Sequence, residues 1–229
     1  MAIFFDIDGT LLDDAAAERT AALAFRDQHR SLFTSLDDAF VHLWRTLAAT
    51  QWLRYERGEL SFTDQRRARM IGLFATAGRV LSPVEADELF LVYLQHYEQN
   101  WSLFPDVLPC LDALASLPLG IISNGDQAQQ LAKLETVGIR SRFATVIVSG
   151  AIGVAKPSPA IFLEACRRMS CPPHHCVYVG DRLATDALAS AAAGLRGVWL
   201  HRASDGDPRE GVIMIRSLRE MVEIVKRTA

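Results

Sequence analysis

The chain has 229 residues, half of them hydrophobic, and 24 Lys and Arg against 27 Asp and Glu give a formal charge of −3. This fits one large α/β domain or a core with an inserted domain, and it excludes an extended disordered chain. The cysteines at 110, 166, 171 and 176 are too few for a disulfide scaffold, the charge balance lacks the basic excess of a nucleic-acid binder, and no apolar stretch approaches the roughly 20 residues that span a bilayer.

The opening Met1-Ala2-Ile3-Phe4-Phe5-Asp6 has no basic segment and a short apolar run, unlike a signal peptide, so a cytoplasmic location with reduced thiols is expected. Residues Ala2 to Ile7 read as a buried strand of a parallel sheet. Similar runs follow at 119–123, 145–149, 176–180 and 197–201, with a weaker one at 211–215. Helix-period stretches at 126–137, 159–170, 185–194 and 217–227 lie between or after them. Alternating strands and helices predict a Rossmann-like, doubly wound parallel sheet with helices on both faces.

The segment 14–100 breaks that rhythm. It shows no strand pattern, and its apolar residues recur at helical spacing. One run covers 36–55, with Phe40, Leu43, Trp44 and Leu47 in register; another begins after Ser61-Phe62-Thr63 and stops near Gly78. A third opens Ser82-Pro83-Val84-Glu85, a capping box with proline at the first helical position. The domains expected are therefore an α/β core of 1–13 and 101–229 and an inserted helical domain of 14–100.

Ligands of open parallel sheets bind at the carboxyl ends of the strands. There the sequence places Asp6-Ile7-Asp8-Gly9-Thr10, Ser123-Asn124-Gly125, a loop Gly153-Val154-Ala155-Lys156-Pro157, and Gly180-Asp181 with Asp186 close behind. Taken singly, these are ordinary turns, caps or strand exits. Together they form an acidic, all-oxygen set with one lysine. Two carboxylates about 4 Å apart repel by roughly 4 kcal/mol at an effective dielectric of 20. Gathering Asp6, Asp8 and Asp181 thus calls for a cation or large pKa shifts, and oxygen ligands favour Mg²⁺ over Zn²⁺. A phosphate dianion then fits between the metal and Lys156, with Ser123 and backbone N–H groups donating.

In order and spacing, these four segments closely resemble the motifs of the haloacid dehalogenase (HAD) superfamily of phosphohydrolases, over residues 2–13 and 104–203. The resemblance implies a Mg²⁺-dependent phosphomonoester hydrolase that works through an aspartyl-phosphate on a small phosphorylated metabolite, such as a nucleotide or sugar phosphate. It implies that Asp6 attacks phosphorus, and that Asp8 protonates the leaving oxygen and then activates water. Mg²⁺ would be held by the Asp6 side chain, the Asp8 backbone carbonyl and Asp181. Ser123 and Lys156 would bind phosphoryl oxygens, Asn124 would shape that loop, and Thr10 would stand with the phosphate-binding group and brace the first loop. Asp186 would orient Lys156 or a metal-bound water. Segments 121–125 and 148–157 are similar to nucleotidase-like and acylneuraminate-phosphatase-like members.

The helical insertion resembles a C1-type cap, in which Trp44, Arg45, Trp52, Tyr55, Arg57 and Arg69 could reach a leaving group; at helical spacing the tryptophans fit the cap's own core better. The dehalogenase branch lacks the second aspartate, present here as Asp8, and a phosphonate-cleaving branch needs a cap lysine, which 14–100 does not contain. A phosphotransferase or mutase on the same core remains an alternative, as does a silent binding protein, whose mark would be loss of Asp6, Asp8 or Lys156. A phosphoreceiver domain would carry its aspartate on an internal strand and have no insertion. Cys171-Pro172-Pro173-His174-His175-Cys176 has zinc-type side chains but two prolines and no second ligand pair, and it is read as a loop. Arg216, Arg219, Lys226 and Arg227 are read as a solvated helix face. No nucleic-acid or membrane partner is expected.

Overall fold

The computed structural model describes residues 1–203 and 212–226. Gly211 and Arg227, and the side chain of Lys226, from the expected last strand and helix lie outside them. The chain divides into two compact units, Met1–Asp13 with Ser102–Ala229, and Asp14–Trp101. Strand β1 (Ala2–Phe5) belongs to the first. The second holds α1 (Asp14–Gln28), α2 (Asp37–Glu56), α3 (Phe62–Ala75) and α4 (Pro83–Gln99). Back in the first unit come α5 (Val107–Ala113), β2 (Leu119–Ser123), α6 (Gln127–Thr136), β3 (Thr145–Val148), α7 (Ser149–Ile152), α8 (Pro159–Arg168) and β4 (Cys176–Gly180). A wide helical turn over Leu183–Leu188, α9 (Ala189–Ala192), β5 (Arg196–Leu200), β6 (Ile213–Ile215) and α10 (Met221–Lys226) follow.

The six strands form one parallel sheet in the order β3-β2-β1-β4-β5-β6. Every residue of β1, β2 and β4 is buried, which explains why these strands read as unbroken apolar runs rather than alternating ones. Phe5 lies opposite Ile121 on β2 and Val179 on β4, so three strand ends come abreast at the switch point of the sheet. On one face Ala2, Phe4, Ile122, Ile147, Phe162 and Tyr178 pack together.

Strand β1 stops two residues before the sequence pattern ends. Asp6 N still donates to Val179 O at 2.9 Å, but Leu11 N and Leu12 N then both turn back to Ile7 O, at 2.8 and 2.9 Å. Ile7 stays fully buried as the pivot of that loop, so burial alone gave it a strand-like signature. The helix expected over 185–194 begins instead as a widened turn, with Asp186 N and Ala187 N both donating to Arg182 O. That turn carries the Asp186 carboxylate back under Arg182 N, at 2.9 Å.

The helical unit has an aromatic core in which Phe25, Phe33, Phe40, Trp44, Phe74, Phe90 and Tyr93 meet. Both halves of the capping box form at α4: Ser82 Oγ accepts from Glu85 N, and Glu85 Oε2 accepts from Ser82 N at 2.9 Å. Helix α1 has no distinct periodic signal because the buried positions facing this core include Ala21 and Ala22. Among the described residues no helix is long and apolar enough to cross a membrane.

Candidate active site

Asp6 follows β1, Ser123 ends β2, and Asp181 follows β4, three neighbouring strands of the sheet. Lys156 arrives from the loop before α8, and Asp186 from the widened turn after β4. Asp6, Asp181 and Asp186 each place a carboxylate oxygen within 4.8 Å of the others. Lys156 Nζ stands among them, 3.0 Å from Asp6 Oδ1, 2.7 Å from Asp186 Oδ1 and 2.8 Å from the Tyr178 hydroxyl. Asp6 meets Lys156 as an ion pair rather than through a well-formed hydrogen bond.

Two glycines make this crowding possible. A Cβ on Gly9, whose φ is +74°, would lie 2.5 Å from Asp181 Oδ2, and one on Gly180 would lie 2.4 Å from the Asp186 carboxylate. The glycines of the first and fourth segments therefore leave room for carboxylates that belong to the fourth.

Burial dominates the electrostatics. It pushes Asp6 up to about 6; Lys156 opposes this, and Asp186 and Asp8 add to it. Asp181 is pushed up to about 8 by burial and then by the charges of Asp6 and Asp186. Burial lowers Lys156, but the charges of Asp186 and Asp6 outweigh it and hold the ammonium above its usual value. One ammonium thus faces three carboxylates. Asp186 is already occupied by Lys156 Nζ and Arg182 N, whereas Asp181 Oδ1 is buried without a hydrogen-bond partner. An all-oxygen set with excess negative charge and an orphaned carboxylate oxygen fits a hard divalent cation, and Asp6 with Asp181 are the side chains left to hold it.

Asp8 does not join this carboxylate group. Its two oxygens lie 2.7 and 2.8 Å from Lys133 Nζ, and Oδ2 also accepts from Gln130 Nε2 at 3.0 Å. Burial would raise Asp8, but the charge and hydrogen bonds of Lys133, the Gln130 amide and the charge of Lys156 hold it below the usual carboxylate value. The expectation that Asp6, Asp8 and Asp181 crowd one another is therefore corrected: a second lysine, on α6, neutralises Asp8.

The remaining expected residues fall around the same strand ends. Asn124 clamps the lysine loop: its Oδ1 accepts from Lys156 N at 2.8 Å and its Nδ2 donates to Lys156 O at 3.0 Å. Ser123 is buried and accepts from Gln130 Nε2 at 2.9 Å. Thr10 is buried too, but its hydroxyl has no hydrogen-bond partner. The Thr10 carbonyl accepts from Arg202 Nη2 at 2.9 Å, and its N–H donates to Ile7 O at 3.3 Å.

Reading the sequence missed Lys133, Gln130 and Tyr178. Gln130 and Lys133 occupy the same helical stripe as Leu134 and Val137, and two polar residues on a core-facing stripe were the available signal. Tyr178, in the middle of an apolar strand, looked like core; its hydroxyl also lies 3.0 Å from Ile122 O and 3.2 Å from Asp186 Oδ1.

Within the helical unit, Trp44 is buried in the aromatic core, and Trp52 packs on Tyr55 and donates to Glu56. Arg45 is engaged by Glu18 and Ala15 O, and Arg57 lies near Glu59. Arg69 has a buried Nε without a hydrogen-bond partner; burial lowers it despite nearby Tyr93, Glu18 and Tyr97.

Known proteins are similar to this chain in sequence and in fold. Human N-acylneuraminate-9-phosphatase is 29% identical over 204 residues, 88% of this chain and 82% of its own. A HAD-hydrolase of Bacillus subtilis, described as bound to magnesium, superposes with a TM-score of 0.82 over 98% of this chain and 97% of its own at 23% identity, which shows the shared fold. A 2-haloacid dehalogenase of Pseudomonas syringae pv. Tomato superposes at 0.72, with 29% identity over 100% of this chain and 99% of its own. The family model of the haloacid dehalogenase-like hydrolases matches residues 1–194, and the chain belongs to that family.

Proposed function

We propose that the chain is a Mg²⁺-dependent phosphomonoester hydrolase that acts on a small phosphorylated metabolite, with Asp6 as nucleophile. The observation that carries this reading is the pairing at the end of β1. Asp6 lies buried against Lys156 within reach of Asp181, and Asp8, two residues on, stands apart with its own lysine. A divalent cation bound at Asp6 and Asp181 would supply the positive charge that offsets these carboxylates and the phosphate.

In the first half-reaction an Asp6 oxygen attacks phosphorus, the bond from phosphorus to the leaving oxygen breaks, and Asp8 gives that oxygen its proton. In the second, water attacks the same phosphorus and passes a proton to Asp8, and the bond to Asp6 breaks to release inorganic phosphate. Lys156 and Ser123 hold the phosphoryl oxygens throughout. Lys133 keeps Asp8 in the carboxylate form that the second half needs. The phosphoryl anion arriving beside Asp8 raises its proton affinity for the first.

Asp8 also separates this reading from dehalogenation. Halide leaving carbon needs no proton, so a residue built to deliver one has no task there. The sugar-acid phosphate named for the human relative makes phosphorylated sugars the first substrates to try, with nucleotides next. The helical unit as the substrate-selecting cap, and a cytoplasmic location, belong to the same proposal.

The test is hydrolysis of p-nitrophenyl phosphate with Mg²⁺ and with EDTA, followed by a panel of sugar phosphates, nucleotides and phospho-acids. Activity should vanish with EDTA and return with Mg²⁺. Asp6→Asn should lower it by about a thousandfold or more while the far-UV spectrum is unchanged. Normal turnover in Asp6→Asn sinks the nucleophile assignment. Transfer of the phosphoryl group to an added alcohol in preference to water would make the enzyme a phosphotransferase.

A further inference from the structure

Lysine burial needs a reason. The Lys133 side chain is only 4% exposed, although it sits on a helix from which a long side chain could reach water. Burying an ammonium is costly unless it is paired and hydrogen-bonded. Here it spans both oxygens of Asp8, at 2.7 and 2.8 Å. One turn earlier on the same helix, Gln130 is buried as well. Its single Nε2 lies 3.0 Å from Asp8 Oδ2, 2.9 Å from Ser123 Oγ and 3.1 Å from Asn124 O. An amide nitrogen with two hydrogens thus faces three acceptors, which belong to the loop after β1, the last residue of β2 and the residue that follows it. Helix α6 therefore grips the Asp8 carboxylate with one charged group, Lys133, and links it to the serine hydroxyl through one neutral group, Gln130.

We propose that Lys133 and Gln130 are positioning residues that fix the Asp8 carboxylate relative to Ser123, so that its proton meets the leaving oxygen of a phosphate seated there. The inference rests on the phosphatase reading above, in which Asp8 is the proton carrier. Lys156 does not take over the task, because its ammonium stands among Asp6, Asp186 and Tyr178 rather than against the Asp8 oxygens. Without Lys133, Asp8 holds a proton more readily but loses the donor that fixes both of its oxygens in place. Phosphoryl transfer to Asp6 then suffers in proportion to how much the leaving oxygen needs a proton.

A leaving-group series separates this from a merely structural ion pair. With Mg²⁺-loaded full-length enzyme, kcat/KM reports the steps through phosphoryl transfer to Asp6. It is measured on 2,4-dinitrophenyl, p-nitrophenyl and phenyl phosphate and on an alkyl phosphate. Lys133→Met should stay within about threefold of the parent on the dinitrophenyl ester, which needs no proton, and fall at least about tenfold on the alkyl ester, within the usual reach of general acid catalysis. Lys133→Arg, which keeps the charge and a two-pronged contact, should recover part of the alkyl-ester rate. Gln130→Leu, which also frees Ser123, should lower the rate on every ester and on the alkyl ester furthest, and it provides a second route if Lys133→Met does not fold. Equal losses on every ester, or none on any, overturn the inference. A parent enzyme inactive on all four esters with Mg²⁺ instead defeats the phosphatase reading.

Discussion

The two units bury their interiors by different means. In the helical unit the interior is mainly aromatic and aliphatic, built from Phe25, Phe33, Phe40, Trp44, Leu73 and Phe74, with Arg26 and Gln65 buried at its margin. In the α/β unit an apolar sheet ends in a buried group of four charges, an amide and a hydroxyl: Asp6, Asp186, Lys156, Lys133, Gln130 and Ser123. Apolar packing is available to both, and replacing buried ion pairs by hydrophobic residues is often neutral or stabilising. The charges at the strand ends are thus a cost that the sheet below them offsets, and the expected return is chemistry. Breaking the two interiors should give responses of different kind as well as size.

The largest effect belongs to the charged interior. Lys156→Met leaves Asp6 and Asp186 without their shared cation in a buried setting, which should cost about 3–5 kcal/mol, as for other broken buried pairs. Urea unfolding in EDTA near pH 8 measures it. A loss below about 1 kcal/mol would mean that water already reaches these carboxylates, contrary to the burial seen here.

The same contrast explains what could be read from the amino-acid order. The sheet was readable because fully buried strands have no polar phase: 119–123 and 176–180 coincide with the observed β2 and β4. The gathering of Asp6, Asp181 and Lys156 at the strand ends was readable because each stands in a segment that follows an apolar run, and the resemblance supplied their order. Tyr178 was not, because it stands in an apolar strand, and Lys133 left only the trace of a polar pair on a core-facing stripe; the folded packing shows that each polar tip has a partner. The wide turn over Leu183–Leu188 was hidden for another reason. The periodicity of Leu183, Ala187 and Leu188 suits an ordinary helix, and the extra backbone width comes from the contacts of Asp186.

An intermediate effect is expected from the apolar interior. Leu73 is fully buried in the helical unit, and Leu73→Ala should cost about 2–5 kcal/mol through lost burial and a residual cavity. The cost should be the same at pH 5 and pH 8, since the deleted methyls carry no proton. A loss that changed by more than about 1 kcal/mol across that range would show that the two interiors are coupled, and the contrast between them would fail.

The smallest effect per step is the most telling about the metal site. Asp181 at about 8 and Asp6 at about 6 both lie above the usual aspartate value of 3.8. The folded protein therefore holds protons that the unfolded chain has already released, and stability falls as pH rises through that interval. The slope is at most about 1.4 kcal/mol per pH unit for each proton. Asp8 runs the other way: Lys133 keeps it below the usual value, so its contribution is present above that value and is lost on acidification. A divalent cation at Asp6 and Asp181 would compete with the held protons, so its stabilisation should grow from pH 5 to pH 8. Thermal midpoints across that range should fall in EDTA and level off in Mg²⁺. Roughly 1 kcal/mol corresponds to 2–4 °C in a chain of this size. Parallel curves with a constant offset would mean that the cation binds where no proton is displaced, which would move the metal site away from these two carboxylates.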